Sequence, residues 1–322
     1  MQSLNNDNND NKDNNKKDNN NSGKFNNEYV VIFYDRVHCY KYIEDNNLHR
    51  YYFSNSVFRK IFTRISINYF KSSGLPIFFS KDWKKKIKNT KNFILTDNGY
   101  NFKMAEYIKR KNPDAKVIFS FRNVIDDKNI KVLEDKNIDT FWTFDNEDSK
   151  KYNINFFPQF YYSCISKEDL EKTKIEYDSI FIGAAKDRED IVLDLDKKMK
   201  NMGLKTDFRI VHNKNEFVSY EDYLEMIKRS KTITDIVGRK QIGLTLRALE
   251  SIYYSKKLIT NNKDIKKYDF YNKNNIFIIG EDDDKKLKDF INSKYDSKNQ
   301  KEYIEKYNYY NWVKTLIKWN ER

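Results

Sequence analysis

The chain has 322 residues, a formal net charge of +13, and only eight Gly and three Pro, where average usage is roughly 7% and 5%. That length suits about two domains, and the scarcity of Gly and Pro excludes collagen-like, Gly/Ser-linker and Pro-rich architectures. Aromatic residues make up 16% of the chain, which argues for a packed fold despite the high charge content.

Residues 1–27 hold 12 Asn with Lys and Asp and carry no net charge. They offer too little apolar area to offset ordering entropy, so a disordered tail is expected. From residue 28 short β-rich runs alternate with longer amphipathic stretches. In the first half the strand candidates are Tyr29–Tyr34, Pro76–Phe79, Asn92–Thr96, Lys116–Phe121 and Thr140–Phe144. Helical spacing falls at Ser54–Lys71, Asn101–Lys111 and Asp127–Asp135. After an irregular stretch, Phe156–Lys174, the alternation restarts. Strands are predicted at Ser179–Ile182, Asp207–His212, Thr232–Val237, Lys257–Thr260 and Ile276–Ile279. Helices are predicted at Asp187–Asn201, Tyr220–Arg229, Ile242–Tyr254, Asp282–Ser293 and Lys301–Trp319.

Parallel neighbours need a crossover, so this alternation predicts an α/β protein with parallel sheets. The most economical architecture is two Rossmann-like domains facing a cleft, residues 28–166 and 167–322, after the tail 1–27. Ligands in such folds bind outside the carboxyl ends of the strands. Domain 28–166 carries +8 and domain 167–322 carries +5. The densest patch is Lys81–Lys91, six lysines against Asp82. It reads either as a solvated helix face or as a surface drawn to anionic lipid or nucleic acid.

The longest apolar runs fall far short of the roughly 20 residues of a spanning helix. Without a signal-peptide pattern the expected location is cytoplasmic. Cys39 and Cys164 form neither a disulfide framework nor a metal motif.

The glycines mark the candidate site. Gly183 ends a strand and opens Gly-Ala-Ala-Lys-Asp-Arg-Glu, which places Lys186 and Arg188 beside a small-residue turn. An ordinary turn capped by Asp187 would look the same. The stretch Asp235–Glu250 is richer: a strand end, a loop with Gly238, Arg239 and Lys240, then a helix opening around Gly243. Free N–H groups and the dipole at that helix start make an anion site, with Thr245 and Arg247 in its first turns. Glu250, about two turns in, can accept bonds from two sugar hydroxyls. Leu244, Leu246, Leu249 and Ile252 need only a core-facing helix, but that leaves the crowding of Arg, Lys, Gln and Gly in one loop unexplained.

Gly-Leu-Thr-Leu-Arg-Ala-Leu-Glu, followed by Lys-Lys-Leu-Ile-Thr-Asn-Asn, resembles the donor-binding helix and next strand of GT-B-fold glycosyltransferases. The similarity is to bacterial surface-polysaccharide and lipopolysaccharide-type enzymes. Phe-Ile-Gly-Ala-Ala-Lys-Asp-Arg-Glu is similar to the first turn of their C-terminal domain. The resemblance covers residues 177–319, and the first half only in outline. It implies that Glu250 binds the donor ribose and that Lys186, Arg188, Arg239 or Lys240 meet the diphosphate. Many retaining members carry a Glu-x7-Glu motif, but Ile242 stands eight residues before Glu250, so the stereochemistry stays open.

In the first half, Asp97 follows a clear strand at Thr96-Asp97-Asn98-Gly99-Tyr100, and His38 follows the first strand. Either could accept the proton of an acceptor hydroxyl. Asp97 also suits an Asx-turn and His38 a plain loop or core histidine. Arg122, after another strand, could meet an acidic acceptor, the donor phosphate or a structural carboxylate. Asp282-Asp283-Asp284 reads as dipole-complementing acids at a helix start. No zinc spacing occurs, and no metal cofactor is required.

The leading expectation is thus a glycosyltransferase that takes a sugar from a nucleotide-sugar donor. Its acceptor would be a glycan or lipid-linked cell-surface precursor, at a membrane face that Lys81–Lys91 could dock on. A nucleotide-sugar epimerase of the same fold is the alternative. A basic nucleic-acid-binding protein is the third reading, although no RNP-type platform or helix-turn-helix pattern supports it.

Overall fold

The computed structural model describes residues 28–33, 38–52, 61, 79–97, 103–184, 186–238 and 243–319, with only the backbone of His38, Cys39, Lys186 and Lys214. The segment 1–27, Gly74, Gly99 and all of the expected helix Ser54–Lys71 except Ile61 lie outside them.

The first sheet comprises β1 (Tyr29–Phe33), β2 (Leu48–Arg50), β3 (Asn92–Thr96), β4 (Lys116–Phe121), β5 (Thr140–Thr143) and β6 (Asn155–Phe156). All pairs are parallel, in the order β2-β1-β3-β4-β5-β6. Its register stacks Ile32 beside Leu95, Leu95 beside Phe119, and Phe119 beside Phe141. The second sheet comprises β7 (Tyr177–Ala184), β8 (Thr206–Val211), β9 (Ser230–Asp235), β10 (Lys257–Thr260) and β11 (Ile276–Ile278). It too is parallel, in the order β11-β10-β9-β7-β8.

Among the described residues ten α-helices accompany the sheets. They are α1 (Lys81–Lys86), α2 (Lys103–Lys111), α3 (Asn146–Tyr152), α4 (Lys167–Lys172) and α5 (Glu189–Asn201). The rest are α6 (Tyr220–Lys228), α7 (Leu246–Tyr253), α8 (Leu287–Asn292), α9 (Gln300–Lys306) and α10 (Tyr309–Trp319).

The strands read as continuous apolar runs because both faces of each sheet are covered. Alternate residues of β1 diverge to opposite faces. Val30 and Ile32 pack with Trp83, Ile87, Met104 and Ile108 of the α1–α2 region. Val31 and Phe33 pack with Tyr309, Trp312, Val313 and Leu316 of α10. In the second sheet Ile180, Ile233 and Leu258 meet Leu224, Ile227, Leu249 and Ile252 of α6 and α7. Phe181, Ile259 and Phe277 meet Val192, Leu195, Met199 and Leu287 of α5 and α8.

The strand order of each sheet reverses at an internal point, between β1 and β3 and between β7 and β9. Open parallel sheets bind ligands in the crevice outside the carboxyl ends there.

Several elements differ from expectation. β2 and β6 are additional strands. Asp127–Asp135 holds a 3-10 turn, Ile130–Glu134, in place of an α-helix. Of Pro76–Phe79, Phe79 forms an isolated antiparallel bridge to Tyr52, and the rest lies outside the described residues. Lys301–Trp319 divides into α9 and α10, and Asp282–Ser293 becomes a 3-10 turn, Asp284–Lys286, followed by α8. Helix α10, grouped by sequence with the second sheet, packs on the first, where Tyr29 and Tyr309 both donate to the Asp45 carboxylate at 2.9 and 2.8 Å.

Candidate functional site

The crevice between β7 and β9 brings together four of the predicted donor-site residues, Gly183, Arg188, Thr245 and Arg247. Asp235, the last residue of β9, is buried and accepts from Thr245 Oγ1 at 2.7 Å and from Arg247 at 3.5 Å. Arg247 also donates to the Ile182 carbonyl on β7, so it ties the two central strands together. Arg188 sits in the turn that follows β7. Its Nε donates to the Ala184 carbonyl at 3.2 Å and its Nη1 to the Ile236 carbonyl. Both guanidinium groups lie 5.7 Å from the Phe181 ring.

Burial, and then the neighbouring Arg247 charge, lower the pKa of Arg188 from its ordinary value. An arginine keeps its charge regardless. Among the described residues Arg188 forms no ion pair with a carboxylate. Asp235 and Asp187 both act on the Arg188 charge, and Asp235 with Glu250 on that of Arg247, so two guanidinium groups meet at this strand end among several carboxylates.

Two glycines keep this region compact. A Cβ on Gly183 would lie 2.8 Å from Arg188 Nη2 and 2.9 Å from the Phe181 ring. One on Gly238 would lie 2.8 Å from Asp187 Oδ1. Lys186 opens the 3-10 turn Lys186–Arg188 ahead of α5, and its side chain is outside the description. Arg239 and Lys240 lie outside the described residues altogether.

Helix α7 does not open at Gly243. Its N-cap is Thr245, whose hydroxyl accepts from the Ala248 N–H, because a hydroxyl there satisfies an otherwise unpaired donor. Gly243 serves instead for close approach to the first sheet, since its Cβ would fall 2.8 Å from the Phe144 ring and 3.0 Å from Asp145 Oδ2. Glu250 is 1% exposed, with Oε1 accepting from Tyr220 at 2.9 Å and Oε2 from Tyr223 at 2.7 Å. Burial raises its pKa. In this arrangement its carboxylate faces tyrosines, not a site open to a ribose. Tyr161 extends the network to Tyr220 at 2.8 Å and Tyr254 at 2.6 Å.

At the first switch point Asp97 follows β3. Its Oδ1 accepts from the Arg122 N–H at 3.0 Å, and its Oδ2 from the Asn123 N–H at 3.0 Å and Nδ2 at 2.8 Å. Asp97 thus joins the ends of β3 and β4, and burial raises its pKa. His38 begins a 3-10 helix, His38–Tyr42, after β1, and its imidazole is not among the described side chains. Arg122 meets no acidic partner in an ion pair among the described residues. Its guanidinium lies 4.0 Å from the Phe160 ring and 5.8 Å from Trp312.

Between the two sheets runs a cleft of about 340 Å³ lined by Asn146, Glu147, Phe156, Gly243, Lys267 and Tyr268, among others. It follows the carboxyl ends of β5, β6, β9 and β10. Sequence reasoning missed Phe156, Lys267 and Tyr268, because none sits in a motif and the two-residue strand holding Phe156 has no periodicity to read. Asp235 carried a signal, as a polar residue ending an apolar strand, but its pairing with Thr245 and Arg247 is a tertiary fact.

Among the described residues no group of three or more His, Cys, Asp or Glu could hold a metal ion, and no helix is long and apolar enough to cross a membrane. No protein-family model and no curated protein matches the sequence. A solved structure, the GtfA/B complex bound to UDP and GlcNAc, matches with TM-score 0.26 and 12% identity over 58% of this chain. This chain spans 46% of that one. A likeness of that size is too slight to carry a shared function.

Proposed function

We propose that the protein is a glycosyltransferase built on two Rossmann-like domains, with its nucleotide-sugar donor at the β7–β9 crevice and its acceptor at the first sheet. The observation that carries this reading is the half-buried Arg188 guanidinium at the second switch point, held by the Ala184 and Ile236 carbonyls and, among the described residues, in no ion pair within 4 Å. Its remaining N–H groups would hold the donor diphosphate and stabilise the charge that develops as the sugar leaves. Lys186, Arg239 and Lys240 would add charge from the adjoining turns. Gly183 and Gly238 admit the backbone approach, while Thr245, Arg247 and Glu250 position α7 and β9 behind the diphosphate.

Across the cleft Asp97 would accept the acceptor hydroxyl proton, since burial has already raised its proton affinity. His38 is the competing base. The acceptor would be a glycan or lipid-linked cell-surface precursor, with the exposed lysines of Lys81–Lys91 meeting an anionic membrane face. Arginine and lysine supply the positive charge, so the reading assigns no metal.

The test is a thermal-shift panel of nucleoside diphosphates and nucleotide sugars, since native-state binding raises the melting temperature. A rise of several degrees with one nucleotide is expected, and no shift across the panel would overturn the reading. Conversion of free nucleotide sugar to its isomer without acceptor would replace transfer with epimerisation.

A further inference from the structure

Among the described residues three of the four strands that edge the two sheets, β2, β6 and β11, are three, two and three residues long. Edges that short offer another chain little to pair with. β8 is different. It has six residues, contains neither Pro nor Lys, and has β7 as its only neighbour among the described residues. Its register with β7 runs without a bulge from Ser179↔Thr206 to Ala184↔Val211.

The phase of that ladder decides which backbone groups face outward. The Lys205 carbonyl accepts from the Ser179 N–H at 3.4 Å. Residues of a ladder turn to alternate sides, so Asp207, Arg209 and Val211 spend their N–H and C=O groups on β7. Thr206, Phe208 and Ile210 turn theirs to the open edge. Their side chains lie against α5, where Thr206 Oγ1 donates to Asp196 at 2.5 Å and Phe208 and Ile210 join the core. Leu193, one turn before Asp196 on the same side of α5, is 53% exposed and extends this apolar flank.

Charges on an edge strand usually keep a second strand away. Here they cancel. Arg209 Nε and Nη2 donate to Asp207 Oδ1 and Oδ2 at 2.9 and 2.8 Å, so the strand carries no net charge to repel a copy of itself.

We propose that a second copy of this chain pairs with β8, antiparallel and about a two-fold axis through Phe208, joining the two five-stranded sheets into one. An antiparallel pair has to match outward-facing residues, which leaves Asp207, Phe208 and Arg209 as the centres available within the strand. An axis at Asp207 or at Arg209 sets that charge against its own copy, and like charges directly opposite are destabilising. An axis at Phe208 lets Thr206, Phe208 and Ile210 all bond, and sets Asp207 of each chain opposite Arg209 of the other. A contact of this kind is self-complementary, as a two-fold interface requires. The paired strands run in opposite directions, so the two Arg188 crevices open at opposite ends of the joined sheet and stay accessible. The pairing thus holds whether or not the crevice takes a nucleotide sugar.

Sedimentation of the full chain across the micromolar range tests this, with circular dichroism to verify that each variant is folded. The unaltered chain is expected at the mass of two chains. Arg209→Asp sets acid against acid and Asp207→Arg sets base against base, so each alone should fall to the mass of one chain. An equimolar mixture of the two variants restores both opposite-charge pairs and should return to the mass of two. A monomeric unaltered chain, single variants that stay dimeric, or a mixture that does not associate overturns the proposal. Should either variant not fold, amide exchange of the unaltered protein at low and high concentration decides. Protection of Thr206, Phe208 and Ile210 should rise with concentration, and protection independent of concentration overturns the pairing.

Discussion

Replacing Arg188 with methionine should separate binding from stability. A guanidinium carries five N–H donors, of which two are spent on the Ala184 and Ile236 carbonyls. Three remain for a diphosphate. One hydrogen bond to a charged partner is worth about 1.5–3 kcal/mol, so Arg188→Met should weaken nucleoside diphosphate binding by about 10- to 150-fold. The same change strips a donor from two carbonyls, at about 1 kcal/mol each where water does not replace it. Arg188→Lys retains the charge but loses the planar fork, and should fall between. The assay is isothermal calorimetry with the nucleotide of largest thermal shift, at fixed salt, beside a urea melt of each variant. A folded Arg188→Met protein that binds within twofold of the unaltered chain refutes the assignment of the β7–β9 crevice.

Gly243→Val drives its side chain into the Phe144 ring, where a Cβ alone would lie at 2.8 Å. About 1–3 kcal/mol of stability should be lost, and an unchanged urea midpoint would contradict the close approach. His49, on β2, has a buried Nε2 with no hydrogen-bond partner among the described residues, and burial followed by the Lys86 charge pushes its pKa down to about 4 from 6.5. The unfolded chain therefore takes up a proton first, so stability is full above pH 6.5 and falls as pH drops toward 4. In His49→Gln that acid-side loss should disappear from the pH dependence of denaturant melts, and an identical profile would reject the burial argument. Trp312, 1% exposed against Phe160 at 4.4 Å between ring centroids, should cost about 3–5 kcal/mol as Trp312→Ala. A loss below about 1 kcal/mol by circular dichroism would show that α10 does not hold the first sheet.

The central strands were legible because they are buried on both faces and so read as unbroken apolar runs. Tyr29–Phe33, Asn92–Thr96 and Lys116–Phe121 leave no other economical reading. The edge strands Leu48–Arg50 and Asn155–Phe156 were not, since two or three residues cannot carry a period. For the site, the strand-end position of Gly183 and the neighbouring Arg188 were readable from the glycine itself. The surroundings of Glu250 were not. Helical spacing places it beside Leu249 and within the buried stripe, but its partners Tyr220 and Tyr223 come from a different helix about 30 residues earlier. Local sequence distinguishes a carboxylate aimed at a ligand from one aimed at buried hydroxyls only when those hydroxyls are close in the chain. The start of α7 slipped for a similar reason. Gly243 looks like a helix opening until Phe144, a hundred residues earlier, supplies its actual reason.

The Tyr309–Asp45 hydrogen bond joins residues 264 apart in sequence, and it has a consequence for synthesis. During translation one face of the first sheet stays only partly covered, by Tyr40, Ile43 and Phe160, until Tyr309–Ile317 leave the ribosome. Val31, Ile94 and Ile118 remain partly exposed meanwhile. The first sheet therefore completes its folding after the second, although it is made before it. A nascent chain stalled between residues 160 and 300 would present that apolar face to chaperones and to other nascent chains. Moving residues 300–319 ahead of residue 28 by circular permutation should shorten that window.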